Sequence, residues 1–202
     1  MKSSTIKQQK LSFYDLLFHF NDFSGKWSCF RRADSRNYFN GEKCKIAEAL
    51  QIALENDRCG LGISMGVGKT RVALNHLKKN FNPLIRVLVV IPKLSIAKAW
   101  VDELEKTDSQ FLVTHLTFTT YLSINKHNPD AYDIVYLDEC HSLLESHENF
   151  LSSYTGKIVG MTGTPPKRRG SEKFRMVNKY CPIIYEFSVD DYVEIFVNVG
   201  HT

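Results

Sequence analysis

An α/β fold on a mainly parallel sheet, with helices on both faces, is what this sequence predicts, and three observations carry that expectation. Segments of strand character alternate with segments of helical periodicity from about residue 43 to residue 187. The strand segments at 86–91 and 133–137 are close to continuous apolar runs, as strands covered on both faces require. A glycine-rich turn stands between a strand and a helix at residues 62–70, which is where units of this kind bind ligands.

The first forty residues read as an extension with one helix, expected over 11–23, where Phe13, Leu16, Leu17, Phe20 and Phe23 recur at helical spacing. The aromatics of this extension, Tyr14, Phe18 and Trp27 among them, read as packing groups, with base stacking as the other reading. A polar, Arg-rich stretch follows to residue 40, and the main unit covers 41–190. Residues 43–56 form an amphipathic helix with Ile46, Ala49, Leu50, Ala53 and Leu54 on one stripe. A strand is expected at 59–63, a helix at 69–79 and a buried strand at 86–91. Residues 94–106 are helical, with charges on the outer face. Residues 111–117 alternate as a strand, 120–125 make a short helix, and 133–137 a second buried strand. A helix at 143–154, a strand at 157–161, a helix at 172–179 and a strand at 183–187 complete the unit. Residues 191–202 read as a linker or as the start of a further lobe.

The 202 residues fit one domain with a short extension, enough to bury a core without covalent staples. A hydrophobic share of 43% with 24% charged residues excludes wholesale disorder. The cysteines Cys29, Cys44, Cys59, Cys140 and Cys181 are odd in number and make no C-x-x-C pair, against both a disulfide framework and a zinc ribbon. The polar N-terminus has no signal-peptide pattern, and the longest apolar run, 87–91, is too short to span a bilayer. An intracellular, cytoplasmic chain with reduced thiols is expected, without a membrane partner. The net charge of +4 points only weakly to a polyanionic partner.

The segment Gly62-Ile63-Ser64-Met65-Gly66-Val67-Gly68-Lys69-Thr70 carries the most chemistry. Gly66 and Gly68 permit backbone turns closed to other residues. The N–H groups of the loop, Val67 included, and of the following helix N-terminus can then surround a phosphate. Lys69 is suited to reach the β- and γ-phosphates of a bound nucleotide and Thr70 to give a hydroxyl to Mg²⁺. The strict phosphate-loop pattern wants glycine where Ile63 stands, so only the shorter G-x-G-K-T core is present. The plainer reading is a glycine-rich turn before a surface lysine. The second signal is the strand end Ile134-Val135-Tyr136-Leu137-Asp138-Glu139-Cys140-His141. Asp138 suits a hard cation, and Glu139 suits a base that polarises attacking water. The plainer reading is a pair of acids at the start of a helix.

These residues carry a resemblance. Ser64 to Thr70 together with Asp138-Glu139-Cys140-His141 resemble motifs I and II of superfamily 2 helicases and translocases of the DExH type. Gly160-Met161-Thr162-Gly163-Thr164-Pro165-Pro166 resembles motif III, with Gly163 where alanine is usual. Val90-Ile91-Pro92-Lys93 resembles motif Ia, and Phe118-Thr119-Thr120-Tyr121 motif Ib. The five segments stand in the family's order over about residues 38–187, with likeness to phage and viral members. The fold implied is the RecA-like, P-loop NTPase domain, and the activity an ATP-dependent helicase or translocase.

The resemblance also implies roles. Gly66, Val67, Gly68, Lys69 and Thr70 would bind ATP, with Thr70 and Asp138 at Mg²⁺ and Glu139 at the attacking water, so that Lys69, Asp138 and Glu139 form the catalytic set. His141 would contact Thr162 or Thr164 and couple the nucleotide to the nucleic-acid side. Lys93, Thr119 and Thr120 would contact nucleic-acid backbone, where donors rather than base-reading groups are needed; helix capping is the other reading of the two threonines. No adenine-reading glutamine is evident upstream of the loop, and Phe39, within Tyr38-Phe39-Asn40, is the candidate to stack on the base. The basic run Lys167-Arg168-Arg169 with Lys173 and Arg175 reads either as a nucleic-acid contact or as a solvated loop.

Two functions are open at this point. One is the ATP-binding lobe of a helicase or translocase, acting on nucleic acid, DNA ahead of RNA, and completed by a second RecA-like lobe in the parent protein or in trans. Nothing resembling motif VI and its arginines follows motif III, so this chain alone is expected to hydrolyse ATP weakly. The other is a stand-alone, single-lobed, ATP-responsive adaptor without unwinding activity.

Overall fold

The structure, a computed structural model, describes residues 45–187. The expected helix at 11–23, Phe39 and the segment 191–202 lie outside the described residues. In chain order the elements are α1 (Lys45–Glu55), β1 (Arg58–Ile63), α2 (Lys69–Lys79), β2 (Val87–Ile91), α3 (Ala97–Lys106), β3 (Leu116–Thr120), β4 (Ile134–Asp138), α4 (Glu148–Ser153), β5 (Lys157–Thr162), α5 (Glu172–Tyr180) and β6 (Ile183–Phe187). Short 3₁₀ turns connect them, among them Leu94–Ile96, Gln110–His115, Tyr121–Lys126 and Cys140–Ser142.

The six strands form one sheet in the order β3-β2-β4-β5-β1-β6, and every neighbouring pair is parallel. The apolar runs explain why. All five positions of β2 and of β4 are buried, and successive side chains point to opposite faces. Val87, Val89, Ile91, Ile134 and Tyr136 therefore join one core, while Leu88, Val90, Val135 and Leu137 join the other. Leu50 and Ala53 of α1, Val72 and Leu74 of α2, and Trp100 and Leu104 of α3 complete the first core. Phe150 and Leu151 of α4 and Met176, Val177 and Tyr180 of α5 complete the second. Each fully buried Val, Leu or Ile side chain in these layers contributes roughly 1.5–3 kcal/mol of transfer free energy. Among the described residues no helix is long and apolar enough to cross a membrane.

Three segments depart from the sequence reading. The strand expected at 111–117 is a 3₁₀ turn to His115, and β3 begins only at Leu116. β3 lies at the sheet edge with a single buried position, so burial imprints little alternation on it. Phe111 and Val113, which set the apparent pattern, are exposed. The helix expected at 143–154 shrinks to a 3₁₀ turn, Glu145–His147, and α4. His147 Nδ1 accepts from the Leu144 N–H at 3.0 Å, and Asn125 Oδ1 from the Phe150 N–H at 3.2 Å. These two side chains take the donors at the start of a helix that begins late. Likewise the helix expected from 94 opens with the turn Leu94–Ile96, and α3 proper starts at Ala97.

Candidate active site

Since all strands run the same way, their C-terminal ends lie along one edge, and the turns leaving β1, β2, β3, β4 and β5 emerge there together. The turn after β1 is tethered at Ser64, whose N–H donates to the Phe187 carbonyl at 3.1 Å, and is pinned to the core by buried Val67. Gly66 (φ 80°) and Gly68 (φ 104°) take the left-handed conformations that only glycine adopts without strain. Gly68 is the N-cap of α2 and offers no side-chain cap, so the helix presents its first N–H groups at the loop, an arrangement that favours an anion. Lys69 and Thr70, the first residues of α2, are half-buried there.

β4 delivers the two carboxylates. Asp138 is 7% exposed; its Oδ2 accepts from Trp100 Nε1 at 3.2 Å, and its carbonyl from the Tyr121 hydroxyl at 2.9 Å. Burial pushes the Asp138 carboxyl above its ordinary range, although the indole N–H and the Lys69 charge oppose this. Glu139 sits at φ 54°, ψ 55°, a left-handed conformation that costs a non-glycine residue about 1–3 kcal/mol. That turn directs its carboxylate into a ring of donors. Lys69 Nζ donates to Oε1. The Thr162 hydroxyl donates to Oε2 at 3.3 Å and the Gly163 N–H at 3.4 Å, with His141 Nδ1 also 3.3 Å from Oε2. Burial raises the Glu139 pKa, but the Lys69 hydrogen bond and charge and the Gly163 N–H outweigh it, leaving it below the ordinary value. Glu139 is therefore ionised at neutral pH.

The turn after β5 closes the ring. His141 Nδ1 is 2.7 Å from Thr162 Oγ1 and 3.3 Å from Thr164 Oγ1, and the Thr164 N–H donates to Thr162 Oγ1 at 3.1 Å. Thr162 has one hydroxyl proton. With that proton given to Glu139, Nδ1 of His141 is assigned as the N–H that donates to Thr162. Burial first, then the Lys173 and Lys69 charges, lower the His141 pKa against the pull of Glu139, so the ring is neutral at pH 7. Gly163 packs on the phosphate-loop backbone: a Cβ there would stand 3.2 Å from Met65 Cγ and 3.2 Å from Met65 N. An alanine there, as the resembling family has, would require the Met65 segment to shift by a few tenths of an ångström.

The remaining site expectations divide. The register Ile91↔Thr120 sets the exits of β2 and β3 side by side. Lys93 is exposed on extended backbone (φ −144°, ψ 141°), and Thr120 is half-buried. Thr119 faces inward. It is 4% exposed, and its hydroxyl is held by His127 Nε2 at 2.9 Å, because alternate strand residues face opposite ways. Lys167, Arg168 and Arg169 are exposed on the loop after β5, while Arg175 pairs with Glu145 at 2.6 Å. Sequence reasoning missed Trp100, Tyr121 and the Arg71–Glu103 pair (2.8 Å) that ties α2 to α3. The one available signal was that a buried indole N–H requires an acceptor.

The donor set suits a hard cation. Among the described residues no group of three His, Cys, Asp or Glu side chains forms a ligand set. An ion at this edge would rely on the Asp138 carboxylate, the Thr70 hydroxyl, substrate phosphate and water, which is the manner in which Mg²⁺ is usually held.

Residues 39–167 match the family described as type III restriction enzyme, res subunit. The chain is 27% identical over 135 residues to the QP509L protein of African swine fever virus (a Malawi tick isolate), an ATP-dependent RNA helicase by name. That match covers 54% of this chain and 25% of the viral protein, so the chain spans about a quarter of the length of the curated relatives it matches. Among solved structures it is similar to the UvsW helicase from bacteriophage T4, with a TM-score of 0.58 and 13% identity over 70% of this chain and 58% of that one. It is also similar to the type ISP restriction-modification enzyme LlaGI, solved with a DNA substrate mimic, with a TM-score of 0.54 and 20% identity over 76% of this chain and 20% of that one. At these identities the structural likeness is one of fold.

Proposed function

As this chain belongs to the type III restriction enzyme res subunit family, whose fold here is the RecA-like domain of superfamily 2 helicases, we propose that the edge of strand exits is the ATP site of a nucleic-acid motor. The loop N–H groups, the α2 N-terminus and Lys69 bind the phosphates. Thr70 and Asp138 would hold Mg²⁺, which screens the negative charge of the β- and γ-phosphates when bound. Glu139, ionised, orients the attacking water and accepts its proton. His141, bridged to Thr162 and Thr164, relays the nucleotide state toward the nucleic-acid side. Lys93 and Thr120 grip nucleic-acid backbone, and Thr119 supports that surface from beneath. A second RecA-like lobe, in the same protein or in trans, closes over the nucleotide. The 202-residue chain by itself binds Mg·ATP weakly and turns it over slowly.

The observation that carries this reading is the convergence of Lys69, Thr162, the Gly163 N–H and His141 on one ionised carboxylate, Glu139. A dead scaffold has no chemical use for such a group. The test is ATP hydrolysis by the longest form of the protein containing this chain, with single-stranded DNA, duplex DNA and RNA as separate activators. Stimulated turnover by at least one of them is expected, and the most effective activator identifies the substrate. Absence of ATP binding and of stimulated turnover with all three would overturn the reading, as would steady-state unwinding by the 202 residues alone for the need of a second lobe.

A further inference from the structure

Trp100 lies on α3, outside the five strand exits, and is wholly buried. Its ring packs at 6.2 Å from Phe118 and 5.9 Å from Tyr136. Packing alone would be met by any large apolar ring. The indole N–H, however, ends 3.2 Å from Oδ2 of Asp138, itself 7% exposed. The same helix carries Glu103, whose carboxylate holds Arg71 of α2 at 2.8 Å. α3 is thus fastened both to the helix of the phosphate loop and to the carboxylate at the end of β4.

We propose that Trp100 is a positioning residue for the metal-binding carboxylate: its N–H occupies Oδ2 of Asp138 and fixes the carboxylate plane in which the group would hold the ion. The inference rests on the reading of Asp138 as the Mg²⁺ residue. The physics is that of outer-shell partners, which orient a ligand without touching the metal and whose loss costs about 10–100-fold in metal affinity or activity. Tyr121 holds the carbonyl of the same residue at 2.9 Å, so Asp138 is held at both its side chain and its backbone.

The geometry also makes Trp100 a reporter. The chain has two tryptophans, Trp27 and Trp100, so Trp27→Phe leaves Trp100 as the sole indole. In that background, titration with MgCl₂ at saturating adenylyl imidodiphosphate should give a saturable change in tryptophan emission, which Asp138→Asn removes. In the otherwise unaltered chain, Trp100→Phe keeps an aromatic ring and deletes the N–H, together with the five-membered ring that carries it. Calorimetric titration should then show Mg²⁺ affinity in the nucleotide complex reduced about 10–100-fold, with metal-free nucleotide affinity unchanged. Equal Mg²⁺ affinity in Trp100→Phe and the parent overturns the proposal while sparing the function of Asp138. No Mg²⁺ binding by the parent, with nucleotide bound, overturns the reading of Asp138 and this proposal with it. Should Trp100→Phe fail to fold by circular dichroism, the emission titration decides alone: a Trp100 signal indifferent to Mg²⁺ rejects the proposal.

Discussion

Lys69 and Glu139 are hydrogen-bonded to each other, the ammonium on one side of the cleft donating to a carboxylate 70 positions further along the chain. The two charges thus neutralise each other across the cleft. In the proposed function, an arriving phosphate would compete for Lys69, and the lysine's departure would free Oε1 of Glu139 for water.

Glu139→Gln keeps the shape and removes the charge. Nucleotide affinity should be at least that of the parent, since Lys69 no longer has a carboxylate to leave. Turnover should fall by about 10²–10⁴-fold, the usual worth of a positioned base. Calorimetry with an ATP analogue and a steady-state phosphate-release assay check both parts; surviving turnover would reject Glu139 as the base.

His141→Ala breaks the bridge from Glu139 to Thr162 and Thr164 without touching the phosphate loop. ATP binding should persist, while the ratio of nucleic-acid-activated to basal hydrolysis falls by about fivefold or more, the lower end of ordinary coupling. The two rates, measured side by side, decide whether His141 couples the sites or only packs.

Lys93→Ala should weaken nucleic-acid binding uniformly across sequences, because a backbone contact reads no bases. The slope of log affinity against log salt should fall by about 1, the signature of one lost phosphate contact. Fluorescence anisotropy over a salt series gives that slope; an unchanged slope places Lys93 off the nucleic-acid path.

Gly160 lies in β5 beneath the turn that carries Glu139. A Cβ there would stand 2.7 Å from Cys181 Sγ, 2.9 Å from Cys181 Cβ and 3.2 Å from Cys140 Cβ. Gly160→Ala should therefore destabilise the fold by about 1–3 kcal/mol through overpacking. Gly170→Ala, with nothing within 4 Å of the added carbon, should stay within about 0.5 kcal/mol of the parent. Urea unfolding of the three proteins compares them directly.

His76 gives the fold a pH dependence. It is fully buried, with Nδ1 2.7 Å from the Tyr136 hydroxyl and Nε2 3.2 Å from Asn80 Nδ2. With Asn80 donating, Nε2 is assigned as the acceptor and the ring as neutral, although a backbone hydrogen bond to Ala53 favours the charged form. Burial, aided by the Lys157 charge, lowers its pKa from 6.5 to about 4. Between those values the unfolded chain binds the extra proton and the folded chain does not, so stability is complete above about 6.5 and is lost as pH falls toward 4. The loss from this group should reach about 2 kcal/mol by pH 5. Denaturation at pH 7.5 and pH 5 should show that slope, and His76→Gln should reduce it by that amount.

Some of this was legible in one dimension. The glycine-rich turn between β1 and α2 was, because the left-handed backbone at Gly66 and Gly68 and the helix start at Lys69 and Thr70 are set by residues at consecutive positions. β2 and β4 were equally plain, because burial on both faces forces apolar residues at every position. The edge strand β3 was misplaced, since a strand with one ladder and one buried position leaves little pattern. The facing of Thr119 and Thr120 could not be read either. A one-residue shift in register exchanges the two faces of a strand, and register is fixed by pairing with β2.

By itself, then, the sequence determined the α/β class, the glycine-rich turn between strand and helix, the acidic strand end and the candidate residues for chemistry, because each of these depends on local spacing or on burial. The tertiary structure decided which of them meet. The order β3-β2-β4-β5-β1-β6 places β5 between β4 and β1, so Thr162 and Gly163 reach Glu139 beside Lys69. The fastening of α3 decides that Trp100 ends on Asp138. Those contacts join residues 23 to 70 positions apart. At that separation, partners are chosen by the packing of whole strands and helices rather than by the residues' own spacing.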